Sequence, residues 1–146
     1  MYINKNITSG KKEEYQTKWY IIDAKDKILG RLSSKIVYIL KGKSNIGYLP
    51  YNESYINIIV INAKYIKITG NKRKQKTYIK HSGKPGGLKI QKFAEIQQRM
   101  PNIIIEHAVK GMLPKNSLGR KLFKKLKVYP YNQHPHESQQ PLPLHI

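Results

Sequence analysis

The stretch "YINIIVINA", residues 55–63, decides the fold. Its apolar residues run almost without a break, and Ile and Val dominate them. Such β-branched side chains are stiff in a helix and suit a pleated strand. A strand that offers apolar residues on both faces must be covered on both, which favours a parallel sheet packed between helices. Working outward, "WYIIDA" (19–24) is a second short apolar run that reads as a buried strand. Between the two lies "ILGRLSSKIVYILKGK" (28–43), where Leu29, Leu32, Ile36, Ile39 and Leu40 fall on one helical face. Arg31, Ser34, Lys35, Tyr38 and Lys41 fall elsewhere, and Gly42 fits a helix stop.

Downstream, "KYIKITG" (64–70) alternates as a strand does and closes on Gly70-Asn71. "QKTYIKH" (75–81) reads as another strand behind a basic turn, "TGNKRK", and "HSGKPGGLK" (81–89) as a glycine-rich loop. "IQKFAEIQQRM" (90–100) reads as a helix stopped by Pro101, which itself suits the first position of the next helix. On that helix Ile104, Ala108 and Met112 share a face, with Gly111 and Pro114 marking its end. Ser117 is the expected cap of a last helix, "LGRKLFKKLKVY" (118–129), with Leu118, Leu122, Phe123 and Leu126 as its apolar stripe. The order strand, helix, strands, helices predicts an α/β sandwich. The expected organisation is a polar extension over residues 1–17, one α/β domain over 18–129, and an extended proline-containing tail over 130–146.

Charge limits what such a domain binds. The chain of 146 residues carries a formal charge of +20, a load that opposes compaction unless a polyanion supplies the counter-charge. The acids are Glu13, Glu14, Asp23, Asp26, Glu53, Glu95, Glu106 and Glu137. Residues 54–94 therefore hold ten basic residues and no acid, and residues 107–136 hold seven and none. A merely solvated surface interleaves both signs, so two acid-free blocks point to a large surface for nucleic acid. No apolar run has the length of a membrane span. The N-terminal stretch has no apolar signal core and is a poor transit peptide, so the expectation is a protein that works where it is made.

Catalysis finds no support in the motifs. "KGKSN" (41–45) ends like a phosphate-binding P-loop, but the required first glycine is Val37 and the segment follows a helix. The chain has no cysteine, and His134 and His136 around Pro135 make at most half a metal site. Such histidines more often lie on the surface or stack on bases. No acid/base pair and no nucleophile elbow is evident. The glycine loop is ambiguous on geometry. Gly83, Gly86 and Gly87 let backbone amides approach an anion, with Lys84 and Lys89 adding charge, or they simply build a tight turn. Tyr78, Tyr129 and Tyr131 lie among basic residues, where rings can stack on unpaired bases.

Three long motifs, "WYIIDAKDKILGRL", "VINAKYIKITGNKRKQKTYIKHSGKPGGLK" and "AVKGMLPKNSLGRKLFKKLKVYPYNQHPH", together resemble the bacterial-type large-subunit ribosomal protein thirteen family, from about Lys18 to Gln140. The glycine loop is most similar to plastid and cyanobacterial members. The resemblance implies a three-layer α/β/α sandwich around a mostly parallel four-stranded sheet. It implies a non-catalytic constituent of the large ribosomal subunit that binds its rRNA, meets neighbouring ribosomal proteins and supports early assembly. No cofactor, membrane or small-molecule substrate is implied. Carried over by motif and charge, rRNA contacts are expected at Lys72, Arg73 and Lys74 of the basic turn and at His81, Lys84, Gly86 and Gly87 of the glycine loop. Further contacts are expected at Lys110, Lys115, Arg120, Lys121, Lys124, Lys125 and Lys127, and at His134 and His136. Family members usually carry Gly-Pro before Leu-Gly-Arg, where this chain has Asn116-Ser117. The heavy use of Ile, Lys, Asn and Tyr points to an A+T-rich gene, and a plastid ribosome is the expected location, with a bacterial cytoplasm as the alternative. An α/β RNA-processing enzyme and a DNA-compacting architectural protein are the competing functions.

Overall fold

A computed structural model of the chain describes residues 17–45 and 48–145. The apolar run at 56–61 is a central strand, β2 (Ile56–Ile61), flanked on both sides. On one side lies β1 (Lys18–Asp23), in parallel register from Lys18 opposite Ile56 to Asp23 opposite Ile61. On the other lies β5 (Leu126–Val128), with Ile58 opposite Leu126 and Val60 opposite Val128. A short β6 (Leu142–Pro143) adds to the far edge of β1 opposite Tyr20 and Ile21. The sheet order is β5-β2-β1-β6, and every pairing in it is parallel. The helix between β1 and β2 is α1 (Leu29–Leu40), ended by Gly42 at φ +73°, as its place in the sequence predicts.

Alternation along the strands divides the burial between two faces. Ile22, Ile58, Val60, Leu126 and Val128 pack in one cluster with Leu32, Ile36 and Leu40 of α1. The same cluster takes in Phe93 of α3 (Phe93–Arg99) and Ile104, Ile105 and Val109 of α4 (Asn102–Met112). Ile59 is completely buried but lies outside that cluster, as its opposite orientation requires. Each fully buried isoleucine contributes about 1.5–3 kcal/mol relative to exposure. On the Ile59 side of the sheet, Trp19 lies with its ring centre 5.3 Å from that of His136. The chain after β5 thus returns across the sheet before it reaches β6.

The α/β architecture around a parallel four-stranded sheet is the expected one, but several elements differ from the sequence reading. Residues 64–70 form no ladder. Asn62 turns left-handed at φ 59°, Ala63–Tyr65 winds into a single 3₁₀ turn, and only Lys67 bridges, to Ile28. Alternation arises there because Ile66 is buried while its neighbours face solvent, not because a strand pairs. Residues 88–92 are not helical but form β4 (Leu88–Lys92), antiparallel to β3 (Thr77–His81) in a separate two-stranded hairpin. The following helix starts only at Phe93, where Glu95 accepts from the Lys92 amide at 3.3 Å. The basic turn is a single helical turn, α2 (Lys72–Gln75).

The last helix is α5 (Ser117–Lys124), and its cap is Asn116, whose Oδ1 accepts from the Gly119 amide at 2.8 Å, not Ser117. Leu126 belongs to β5: a leucine four residues after Leu122 satisfies a helical stripe, but burial at both Leu126 and Val128 fits a strand. On α4 the buried line is Ile104, Ile105 and Val109, while Met112 is 44% exposed and Gly111 lies inside the helix. The expected extension over 1–17 falls, apart from Thr17, outside the described residues.

Candidate nucleic-acid interface

The two acid-free blocks, divided in the sequence by the stretch from Glu95 to Glu106, touch in space. From the first, Tyr78 of β3 meets the His107 ring of α4 edge-on, centroids 5.3 Å apart. One turn further along α4, Lys110 lies over the Phe123 ring of α5, its Nζ 5.9 Å from the centroid. Helix α4 is therefore the seam between the hairpin's cations and those of α5. The hairpin side presents Lys72, Arg73 and Lys74 on α2, all exposed, and Lys84 at the turn. The α5 side presents Arg120, Lys121 and Lys124, also exposed, with Lys115 just before the helix.

The glycine loop is accounted for by its own turn. Gly83 and Gly86 have φ of +85° and +72°, where a Cβ would be strained. The Gly87 amide donates to the Lys84 carbonyl at 2.9 Å, and the Ser82 amide to the Gly87 carbonyl at 3.1 Å. The Gly83 amide donates to Nδ1 of His81 at 2.9 Å, which leaves Nε2 as that ring's outward atom. The loop thus displays Lys84 and the His81 edge from a rigid turn.

Lys125 is held by more contacts than its neighbours on the α5 side, of which Lys121 also reaches Glu53, at 3.7 Å. The Lys125 ammonium donates to the Ser54 carbonyl, lies 3.0 Å from a Glu53 oxygen and sits over the Tyr55 ring. The Ser54 hydroxyl in turn donates to the Leu40 carbonyl, so the 53–55 segment links Lys125 at the end of α5 to the end of α1. The Lys125 hydrogen bond holds the Glu53 carboxyl below its ordinary 4.5; partial burial opposes this, and the charges of Lys125 and Lys121 add to the lowering. A depressed carboxyl contributes stability that is present above pH 4.5 and lost as the pH falls through its folded value. In thermal melts the gap between wild type and Glu53→Gln should accordingly be full near neutrality and close in acid. A gap that persists unchanged well below pH 4 would show that this pair does not carry the difference.

His134 and His136 lie together in the tail. Their rings are 6.5 Å apart and stacked, Tyr129 Oη lies 2.8 Å from Nε2 of His136, and the His136 amide donates to His134 Nδ1 at 3.3 Å. With Trp19 against His136, this cluster fastens the tail to the sheet. Among the tyrosines noted in the sequence, Tyr78 and Tyr129 are partly buried and engaged, while Tyr131 is 52% exposed with Lys64 at 5.3 Å from its ring centre. Lys127, on β5, is half-buried.

The carboxyl ends of the parallel strands, where an open α/β sheet usually holds a ligand, are closed by the chain itself. Asn62 Nδ2 donates to Asp23 Oδ1 at 3.0 Å. The amides of Asn62, Ala63 and Lys64 donate to the carbonyls of Tyr131, Tyr129 and Pro130 at 3.2, 3.1 and 3.3 Å.

A family model described as Ribosomal protein L13 matches residues 17–135. The chain belongs to the ribosomal protein L13 family. Among its L13 relatives, "Large ribosomal subunit protein uL13c" of Gracilaria tenuistipitata var. liui is 60% identical over 129 residues, 88% of this chain and 90% of that protein. "Large ribosomal subunit protein uL13" of a Nostoc species is 54% identical over 134 residues, 92% of this chain and 89% of that protein. The uL13 of Prochlorococcus marinus subsp. pastoris is 50% identical over 140 residues, covering 96% and 97%. Against this L13 fold, the sequence reading passed over Lys76, Lys80 and Lys92, which the hairpin also exposes. A turn at Gly83–Gly87 between two apolar-alternating arms was the signal that would have found them. It also passed over Arg31 and Lys35, which line a groove of about 610 Å³ with Ser34, Tyr38 and His145.

Proposed function

We propose that this chain is a non-catalytic constituent of the large ribosomal subunit that binds rRNA across the surface joined by α4. The observation that carries this is the meeting of the two acid-free blocks at Tyr78–His107, with Lys110 on the same helix continuing the surface to α5 over Phe123. A phosphate backbone that met only one block would leave the other's charge uncompensated. Family membership supports the same role, and the closure of the sheet's carboxyl ends by residues 129–131 argues against an enzyme of the α/β type.

In this reading Lys72, Arg73, Lys74, Lys84, Lys110, Lys115, Arg120, Lys121 and Lys124 meet phosphates, with His81, Gly86 and Gly87 beside them at the hairpin turn. Lys127, His134 and His136 approach RNA where the tail crosses the sheet, and Lys125 acts mainly through the 53–55 segment. Residues 18–129 form the rRNA-binding domain, residues 130–146 a tail that crosses the other face of the sheet, and residues 1–17 an extension. The ribosome is that of a plastid, a placement supported by the likeness to uL13c and by the A+T-rich residue usage.

The test is sedimentation and binding together. The protein should co-migrate with plastid large subunits through a high-salt gradient; a free pool that turns over RNA would favour an enzyme. Equal affinity for duplex DNA and rRNA fragments would favour a DNA-compacting protein. In salt titrations, Lys124→Ala should flatten the log-affinity slope by about 0.7–0.9. Lys125→Ala should instead lower thermal stability and leave the slope near wild type. Equal slopes for wild type and Lys124→Ala would remove α5 from the RNA surface.

A further inference from the structure

The β3–β4 hairpin is built inside out. Its antiparallel register sets Ile79 opposite Ile90, Lys80 opposite Lys89 and His81 opposite Leu88. Alternation therefore sends Ile79, Leu88 and Ile90 to one face and Tyr78, Lys80, Lys89 and Gln91 to the other. The face that carries Tyr78 is turned to the domain, since Tyr78 packs on the core and meets His107. The aliphatic face is turned away from it. Ile79 is 66% exposed, Leu88 54% and Ile90 58%. A half-covered antiparallel ribbon normally keeps its apolar face inward, and an isolated two-stranded ribbon is marginal in water. A contiguous apolar strip of this kind marks a surface that a partner covers.

Charge selects the partner. Residues 72–92 carry eight Lys or Arg and no acid. On the aliphatic face itself, the register sets Lys92 next after Ile90 and His81 opposite Leu88, so basic side chains border the isoleucines. An apolar protein surface would cover the isoleucines and leave the surrounding positive charge uncompensated. The minor groove of an RNA helix does both: it is wide and shallow, it offers ribose and base edges for apolar contact, and phosphates line its rims.

We propose that the Ile79–Leu88–Ile90 face docks in the minor groove of an rRNA helix, with the aliphatic side chains on ribose and base edges and the hairpin lysines on the flanking phosphates. This rests on the rRNA-binding reading above and adds to it the element and the groove. Apolar contact contributes affinity without releasing counterions, so it has a signature of its own in salt titrations.

The experiment measures binding of the full chain to deproteinised large-subunit rRNA across a range of salt. The pair Ile79→Thr with Ile90→Thr keeps β-branched side chains, and so the strands, while making the face polar. Its affinity should fall about tenfold with the salt slope unchanged, and Ile79→Val with Ile90→Val should bind as wild type. Wild-type affinity in the threonine pair would overturn the proposal. As an independent readout, a benzophenone amino acid replacing Ile79 in assembled subunits should cross-link to rRNA. Cross-links to protein alone, or none, would overturn it. If wild type itself shows no preference for rRNA over duplex DNA, the broader reading fails instead, which keeps the two failures apart.

Discussion

Gly119→Ala is expected to cost the domain about 3 kcal/mol, the upper end of what forced overpacking causes. Gly119 is buried in the first turn of α5, and its amide is the donor that Asn116 caps. A Cβ there would overlap the Pro114 carbonyl oxygen and come within 2.9 Å of its carbonyl carbon. Neither side can give way cheaply. Leu113 anchors the Pro114 backbone in the core, and Leu122 anchors the helix one turn on. The melting temperature should fall by roughly 10 °C. Gly111→Ala is the matched control. It lies in α4 with open space around its Cβ position, so alanine should be neutral or stabilise by up to about 1 kcal/mol. Similar melts for the two variants would show that the close approach at Pro114 does not constrain the α4–α5 corner.

The largest effect on binding is expected from Lys72→Ala, Arg73→Ala and Lys74→Ala combined. These side chains are exposed on α2 and reach no partner among the described residues, so stability should stay within about 0.5 kcal/mol of wild type. If each meets a phosphate, the log-affinity slope against log-salt should flatten by about 2–3. Affinity should then drop by about two orders of magnitude near 0.1 M salt and converge with wild type toward 1 M. An unchanged slope would place α2 away from the RNA and leave the interface to α4 and α5.

Both experiments depend on features that were unequally legible in the sequence. β1, α1 and β2 were readable because each has one strong local signal: an unbroken Ile/Val run, a one-sided leucine stripe, a glycine stop. The hairpin was half-read, because "LKIQKFAEI" has apolar residues that satisfy a strand up to Ile90 and a helix from Phe93 on. Only the pairing of Ile90 with Ile79 divides them. β5 was misread for a similar reason, with Leu126 fitting the stripe of the helix it follows. The Ser117 cap was displaced by one residue because Asn116 offers a better-placed oxygen to the same turn. The commitment of Lys125 to Glu53 and Ser54 was invisible, since those partners lie some seventy residues earlier in the chain.

By itself the sequence determined the α/β class, the excess of positive charge, its gathering into two acid-free blocks, and the family motifs. These are properties of local periodicity and of composition, which every stretch of chain carries with it. Only the tertiary structure decided that α4 joins the two blocks, that Lys125 serves the fold, and that the hairpin turns its isoleucines outward. Those outcomes depend on which side chains the sheet and helices bring together, and a contact such as Tyr78 with His107 is fixed by the packing of whole elements on a shared core.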